Sequence, residues 1–181
     1  MLYNYARFDN ILEFGHNYLI EFLESKDGQF NASYILYNLY RIFIRGIKIK
    51  DNLGIYFPVF DGFWMYVANP LFIILFIYII KSIYNINKGK LVDKIEPVKI
   101  AILIALVANL LCLCMHKTLG GWQFGNRYLV DLIPFAFIYI LMTKKQLGSI
   151  KKLSRIEMFI GIIALMFNAY GVAFMYIEDL K

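Results

Sequence analysis

Charge is scarce in this chain, and so are cysteine and histidine. Only 18% of the 181 residues are charged, and there are two cysteines and two histidines. Soluble domains carry about 25% charged and about 45–50% apolar residues. Here 60% are hydrophobic and the mean hydropathy is +0.58, which excludes an ordinary water-soluble globule and a disordered chain. Cys112 and Cys114 lie two apart in an apolar run, about 200° apart on a helix, so they share neither a metal nor an ordinary disulfide. No second histidine stands beside His116 to suggest zinc. No phosphate-cradling Gly-rich loop of the P-loop type and no Gly-x-Ser-x-Gly elbow is present, which removes support for nucleotide-driven or serine-hydrolase chemistry. Met1 to Tyr18 lacks an apolar core behind a basic start, so it does not read as a signal peptide. There is no internal repeat of the length that builds solenoids.

What the sequence does have is long uncharged stretches. Gly62–Ile80 and Met158–Ile177 carry no charge and are each long enough to cross roughly 30 Å of hydrocarbon. Pro70 removes a backbone donor inside the first, so a kink is expected near Ala68 to Leu71. Asn168 and Gly171 in the last suit contact with another helix. Ile100–Met115 reaches spanning length if Lys99 snorkels to the headgroups and His116 sits there too. Leu132–Thr143 is too short alone, and a span must take in Tyr128 to Asp131, which puts a carboxylate inside one end of a membrane helix. Ionisable groups there are costly and mark functional sites by default. The expected fold is therefore an all-α polytopic membrane bundle with four transmembrane helices, over about 62–80, 99–116, 127–143 and 157–177.

The links 81–99 and 144–155 hold more than half of the 19 Lys and Arg, whereas the loop from Lys117 to Asn126 has one lysine. The positive-inside rule places both Lys-rich links in the cytoplasm, with residues 1–61 and the 117–126 loop outside a bacterial plasma membrane. So long a charged tail without a preceding signal or span predicts that the chain is the C-terminal part of a larger membrane protein. Asn31 to Ile49 shows helical periodicity, with Arg41, Arg45 and Lys48 on one stripe and Ile35, Leu36, Leu39, Phe43 and Ile47 on the other. This reads as an interfacial helix at residues 31–49 that meets a lipid phosphate or headgroup, or as a helix packed on the domain with a solvated basic face. Asn31-Ala32-Ser33 fits a glycosylation acceptor, and Asn31 equally fits a helix cap. In the tail, Arg7, Asp9, Glu13 and His16 form a polar and aromatic cluster that either contacts a polar substrate or pairs internally.

The densest signal is Gly120-Gly121-Trp122-Gln123-Phe124-Gly125-Asn126-Arg127-Tyr128-Leu129-Val130-Asp131-Leu132-Ile133-Pro134. The glycines permit tight turns, and Asn126 is a reasonable cap for a helix that starts at Arg127. Arg127 and Asp131 are then i, i+4 on one face, with Tyr128 beside them. A guanidinium at a helix N-terminus on the bilayer's outer edge is a good phosphate receptor. Asp131 would hold the fork in place, or the two charges would merely neutralise each other. Trp122 and Tyr128 fit an aromatic belt or a sugar-stacking surface. His116 is a candidate contact for this loop, or a capping or solvated histidine.

This motif, together with Tyr3-Asn4-Tyr5-Ala6-Arg7-Phe8 and the later Glu13-Phe14-Gly15-His16-Asn17-Tyr18, resembles the C-terminal half of bacterial polytopic C-type glycosyltransferases, the protein mannosyltransferase-like and aminoarabinose transferase-like superfamily. The resemblance covers nearly the whole chain. It implies a many-helix bundle, a polyprenyl-phosphate-linked sugar as donor and an extracytoplasmic acceptor. It would make Arg127 a lipid-phosphate contact supported by Tyr128 and Asp131. The family's catalytic carboxylate lies on its first outward loop, which this sequence does not match, so no catalytic residue is assigned and the isolated chain is expected to be inactive. The partners expected are membrane lipid, the lipid-linked sugar and a separately encoded N-terminal half, with no nucleic acid, cofactor or metal. The alternative is a non-catalytic membrane protein: a transporter or flippase fragment, or an assembly partner in polysaccharide export. Polar groups confined to one membrane edge fit a surface-accessible lipid-linked substrate better than a through-membrane path.

Overall fold

A computed structural model describes residues 1–15, 18–49, 55–58, 62–87, 97–121 and 123–179. The described chain is helical apart from one two-residue antiparallel ladder. Its elements are α1 (Leu2–Phe8), α2 (Ile20–Leu23), α3 (Ile35–Phe43), β1 (Lys48–Ile49), β2 (Ile55–Tyr56), α4 (Met65–Ala68), α5 (Leu71–Asn87), α6 (Pro97–Cys114), α7 (Ile133–Gln146) and α8 (Arg155–Asp179), with short 3₁₀ segments at Ala32–Tyr34 and Arg127–Leu132. The ladder pairs Lys48 with Tyr56 and Ile49 with Ile55.

Among the described residues, two of the four expected spans form helices long and apolar enough to cross a membrane: residues 97–114 of α6 and 155–177 of α8. α5 is a shorter apolar helix. The proline break falls where expected. α4 ends at Ala68, Asn69 leaves helical geometry, and α5 starts beyond Pro70, because a residue before proline is pushed out of the helical region.

α7 packs between α5 and α6, and α3 packs against the C-terminal end of α6. Their meeting faces bury Ile42, Phe72, Leu75, Leu129, Leu132, Ala136 and Ile140 as one core. A second, aromatic core joins Phe57 and Phe63 to Phe124, Phe167 and Phe174 and holds the Gly-rich loop against α8. Gly171 receives a ring there and not another helix: a Cβ on it would lie 2.3 Å from Phe124 Cδ1. That corrects the expectation that Gly171 serves contact between membrane helices.

The Lys-rich end is tied by two buried cations. Lys99 does not snorkel, as expected from its position, but is buried. It donates to Ser82 Oγ (3.1 Å) on α5 and Gln146 Oε1 (2.9 Å) on α7, with Nζ 5.0 Å from the centre of the Tyr139 ring. Two neighbouring helices, α5 and α7, thus supply its solvation, which removes the need to reach water. Lys144 is also buried and donates to both Glu157 oxygens (2.8 and 2.9 Å) and to the Lys152 carbonyl (2.7 Å). Tyr78 O–H donates to the same carboxylate at 3.1 Å. Ser154 and Glu157 close a reciprocal capping box on α8: Ser154 N–H donates to Oε2 (2.6 Å), and Glu157 N–H donates to Ser154 Oγ (3.2 Å).

α3 is much shorter than residues 31–49. Asn31 does act as a cap, but of the 3₁₀ turn Ala32–Tyr34 that leads into α3, accepting from Ser33 N–H at 2.9 Å. The helix stops at Phe43 because Trp64 intercepts it. The indole N–H donates to Ile44 O (2.8 Å) and the Trp64 backbone N–H to Arg45 O (3.1 Å). Gly46 lies under the indole, where a Cβ would come within 2.5 Å of the ring. Arg45 and Lys48 therefore lie beyond the helix, and the basic stripe is corrected to Arg41 alone.

A candidate lipid-phosphate site at the Gly-rich end

The C-terminal end of α6 is built by residues far apart in the chain. Four helix carbonyls are left without donors at a C-terminus, and fully buried Asn38 takes up the local need. Its Nδ2 donates to Cys114 O (2.9 Å) and His116 O (2.8 Å). Residues 29–31 run antiparallel to 115–117, with Asn31 N–H donating to Met115 O and Lys117 N–H to Gln29 O, each at 2.9 Å.

His116 is buried in this joint, neither solvated nor in contact with lipid headgroups. Its Nδ1–H donates to Thr118 O (2.7 Å), leaving Nε2 to accept from the Gln29 amide (3.1 Å). That tautomer satisfies both ring nitrogens. The rings of Phe22, Phe30 and Tyr128 meet it edge to face, with centroids 5.7, 4.8 and 5.6 Å away.

From this joint the Gly-rich loop turns back onto α4. Gly125 has φ +87°, and a Cβ there would meet Ala68 Cβ at 2.7 Å, so only glycine fits both the turn and the approach. The cap of the next helix is Gln123 and not Asn126. Gln123 Oε1 accepts from Arg127 N–H and its Nε2 donates to Leu119 O at 2.8 Å. Asn126 points elsewhere and donates to Phe63 O.

Arg127–Leu132 is a 3₁₀ segment before α7, and Pro134 explains it. An α-helix through this region would need Pro134 to donate to Val130 O, and the ring would strike that carbonyl. The tighter turn changes the faces. At three residues per turn Arg127 and Asp131 are about 120° apart, while Tyr128 and Asp131 share a stripe. Leu129 and Leu132 face the core, and Arg127 and Asp131 are exposed. The predicted Arg127–Asp131 face therefore does not form. Among the described residues neither charged group has a hydrogen-bond or ion-pair partner, so Asp131 does not brace the guanidinium and the two do not neutralise each other.

The remaining expected site residues are dispersed. Arg41 Nη1 donates to Asn38 Oδ1 (3.1 Å) and its guanidinium covers the Tyr37 ring at 4.5 Å, which makes it part of the α6 joint. Arg7 lies on α1, a helix that buries none of its residues. It lines an open groove of about 380 Å³ with Phe8, Phe14, Gly15, Tyr18 and Leu19. There it donates to Tyr3 O–H (3.2 Å) and covers the Phe8 ring at 4.9 Å. Trp122 and His16 lie outside the described residues.

Gln123, Asn38 and the Phe124–Gly171 contact were not visible as site-building residues in the sequence. Only Gln123, four residues before Arg127, carried a local signal. Among the described residues no group of three metal-ligating side chains lies together. Compared with family models, curated proteins and solved structures, the chain matches none.

Proposed function

We propose that this chain is the C-terminal membrane portion of a glycosyltransferase that uses a polyprenyl-phosphate-linked sugar, and that Arg127 holds the lipid phosphate. In this reading four segments cross a bacterial plasma membrane: α4–α5, α6, the 3₁₀ segment with α7, and α8. The Gly-rich end faces outward and the Lys-rich links face the cytoplasm. The observation that carries the proposal is the contrast around Arg127. Its backbone is fixed by Gln123, Gly125 and the buried Leu129, while its guanidinium is exposed and uncommitted.

A planar fork of donors held on a rigid base receives a phosphate oxygen pair without first breaking an internal ion pair. Tyr128, about 120° away on the same 3₁₀ turn, has its ring seated against His116 and so steadies the segment that carries Arg127. The proposal assigns no catalytic residue to this chain.

The test is binding of a polyprenyl phosphate to the full chain in lipid nanodiscs. Saturable binding should weaken at least about tenfold in Arg127→Ala, and Arg127→Lys should recover only part of it, because an ammonium lacks the fork. Equal affinity in wild type and Arg127→Ala, with both folded, would sink the assignment.

A further inference from the structure

α8 presents two different stripes. Phe167, Gly171 and Phe174 face the aromatic core. About 130° around the helix, at 100° per residue, lies a second stripe of Met158, Gly161, Leu165, Asn168 and Val172. Its spacing of three and four residues is the heptad seam of a left-handed helix pair. Every member is exposed, with Leu165 at 73% and Val172 at 72%. A Cβ at Gly161 would meet nothing within 4 Å, so the surface is open at that point.

Apolar exposure alone fits lipid and would need no further partner. Asn168 does not. It sits near the middle of a helix long and apolar enough to span, on the outward stripe, and with α8 in the bilayer, as in the proposed function, no water is at hand there. One amide N–H bonds back to Ala164 O at 2.8 Å. Its Oδ1 and second N–H have no protein partner among the described residues. A half-satisfied amide facing hydrocarbon is unfavourable until a neighbouring helix supplies a donor and an acceptor.

We propose that α8 pairs with α8 of a second copy of this chain, in parallel, across the seam centred on Asn168. A side-chain amide is both donor and acceptor and is therefore self-complementary. About a two-fold axis along the membrane normal, each residue meets its own counterpart at the same depth, so a second copy brings an amide to where one is needed. A single polar residue in an otherwise apolar seam fixes register in such pairs. Gly161, one heptad away, gives the partner backbone room to approach. This interface is independent of Arg127 and of the proposed substrate.

The experiment uses the full chain in lipid vesicles, with energy transfer between two labelled populations followed as protein is diluted in lipid. Transfer should fall reversibly with dilution. Asn168→Leu should weaken association about threefold to twentyfold, and Asn168→Gln should retain it, with thermal unfolding unchanged in both. In a Cys112→Ala background, Leu165→Cys and Val172→Cys should cross-link between copies, whereas Ile162→Cys, Met166→Cys and Ala169→Cys should not. Transfer absent at every dilution, cross-links on the other faces, or an Asn168→Leu dimer as strong as the wild type would each overturn the proposal.

Discussion

The Lys-rich and Gly-rich ends of the molecule treat their charges in opposite ways. At the Lys-rich end Lys99 and Lys144 are buried, and each is surrounded by side chains from other helices. At the Gly-rich end Arg127 and Asp131 are exposed and, among the described residues, unpaired. Buried, satisfied charges hold helices in register, and removing one partner strands the other. Exposed charges on a rigid base contribute little to folding and stay available to a ligand. The contrast separates structural from functional candidates by burial and partners, not by residue type.

Four substitutions test it, in descending order of expected loss. Lys144→Met leaves the half-buried Glu157 carboxylate without its cation and should cost about 3 kcal/mol, the low end for a buried pair. The cost reads as a drop in thermal stability in detergent. Lys144→Met combined with Glu157→Leu should recover much of it, because no charge is left stranded. Additive losses would show that the pair is not coupled. Asn38→Leu removes the donors to Cys114 O, the last carbonyl of α6, and to His116 O just beyond it, and should cost about 2–3 kcal/mol. It should also release residues 29–31 from 115–117 to faster hydrogen exchange. Gly171→Leu fills the notch that receives Phe124. Overpacking of this kind costs about 1–3 kcal/mol, and hydrogen exchange should rise across residues 119–126. A stable variant with an unmoved loop would remove Phe124 as the anchor of the Gly-rich end.

The outcome for sequence reading follows the same division. Local features were legible: the break at Pro70, the Asn31 cap, and α6 and α8 as membrane-length helices. The capping box Ser154–Glu157 was written in the sequence as Ser-x-x-Glu, although the buried cation it recruits was not. What escaped depends on partners distant in the chain. Periodicity ran the α3 helix on to Ile49, because nothing local announces that Trp64 will take the carbonyls of Ile44 and Arg45. The Arg127–Asp131 face assumed 3.6 residues per turn, and Pro134, seven residues on, imposed three. Lys99 looked like a snorkelling residue because its acceptors, Ser82 and Gln146, belong to two other helices.

The smallest expected effect is the sharpest test of the comparison. If the Gly-rich end carries free charge on a fixed frame, Arg127→Ala should leave stability within about 0.5 kcal/mol of wild type, as surface substitutions away from buried features do. Asp131→Asn should do the same, and the double variant should be additive, because the 3₁₀ turn sets the two side chains on different faces. A loss above about 1 kcal/mol in either single variant, or coupling between them, would mean that the pair braces the helix start after all. The free guanidinium would then be a structural element, and the phosphate would have to be sought elsewhere. Neutral stability with lost phosphate binding has only one physical reading: the group acts on something outside the folded chain.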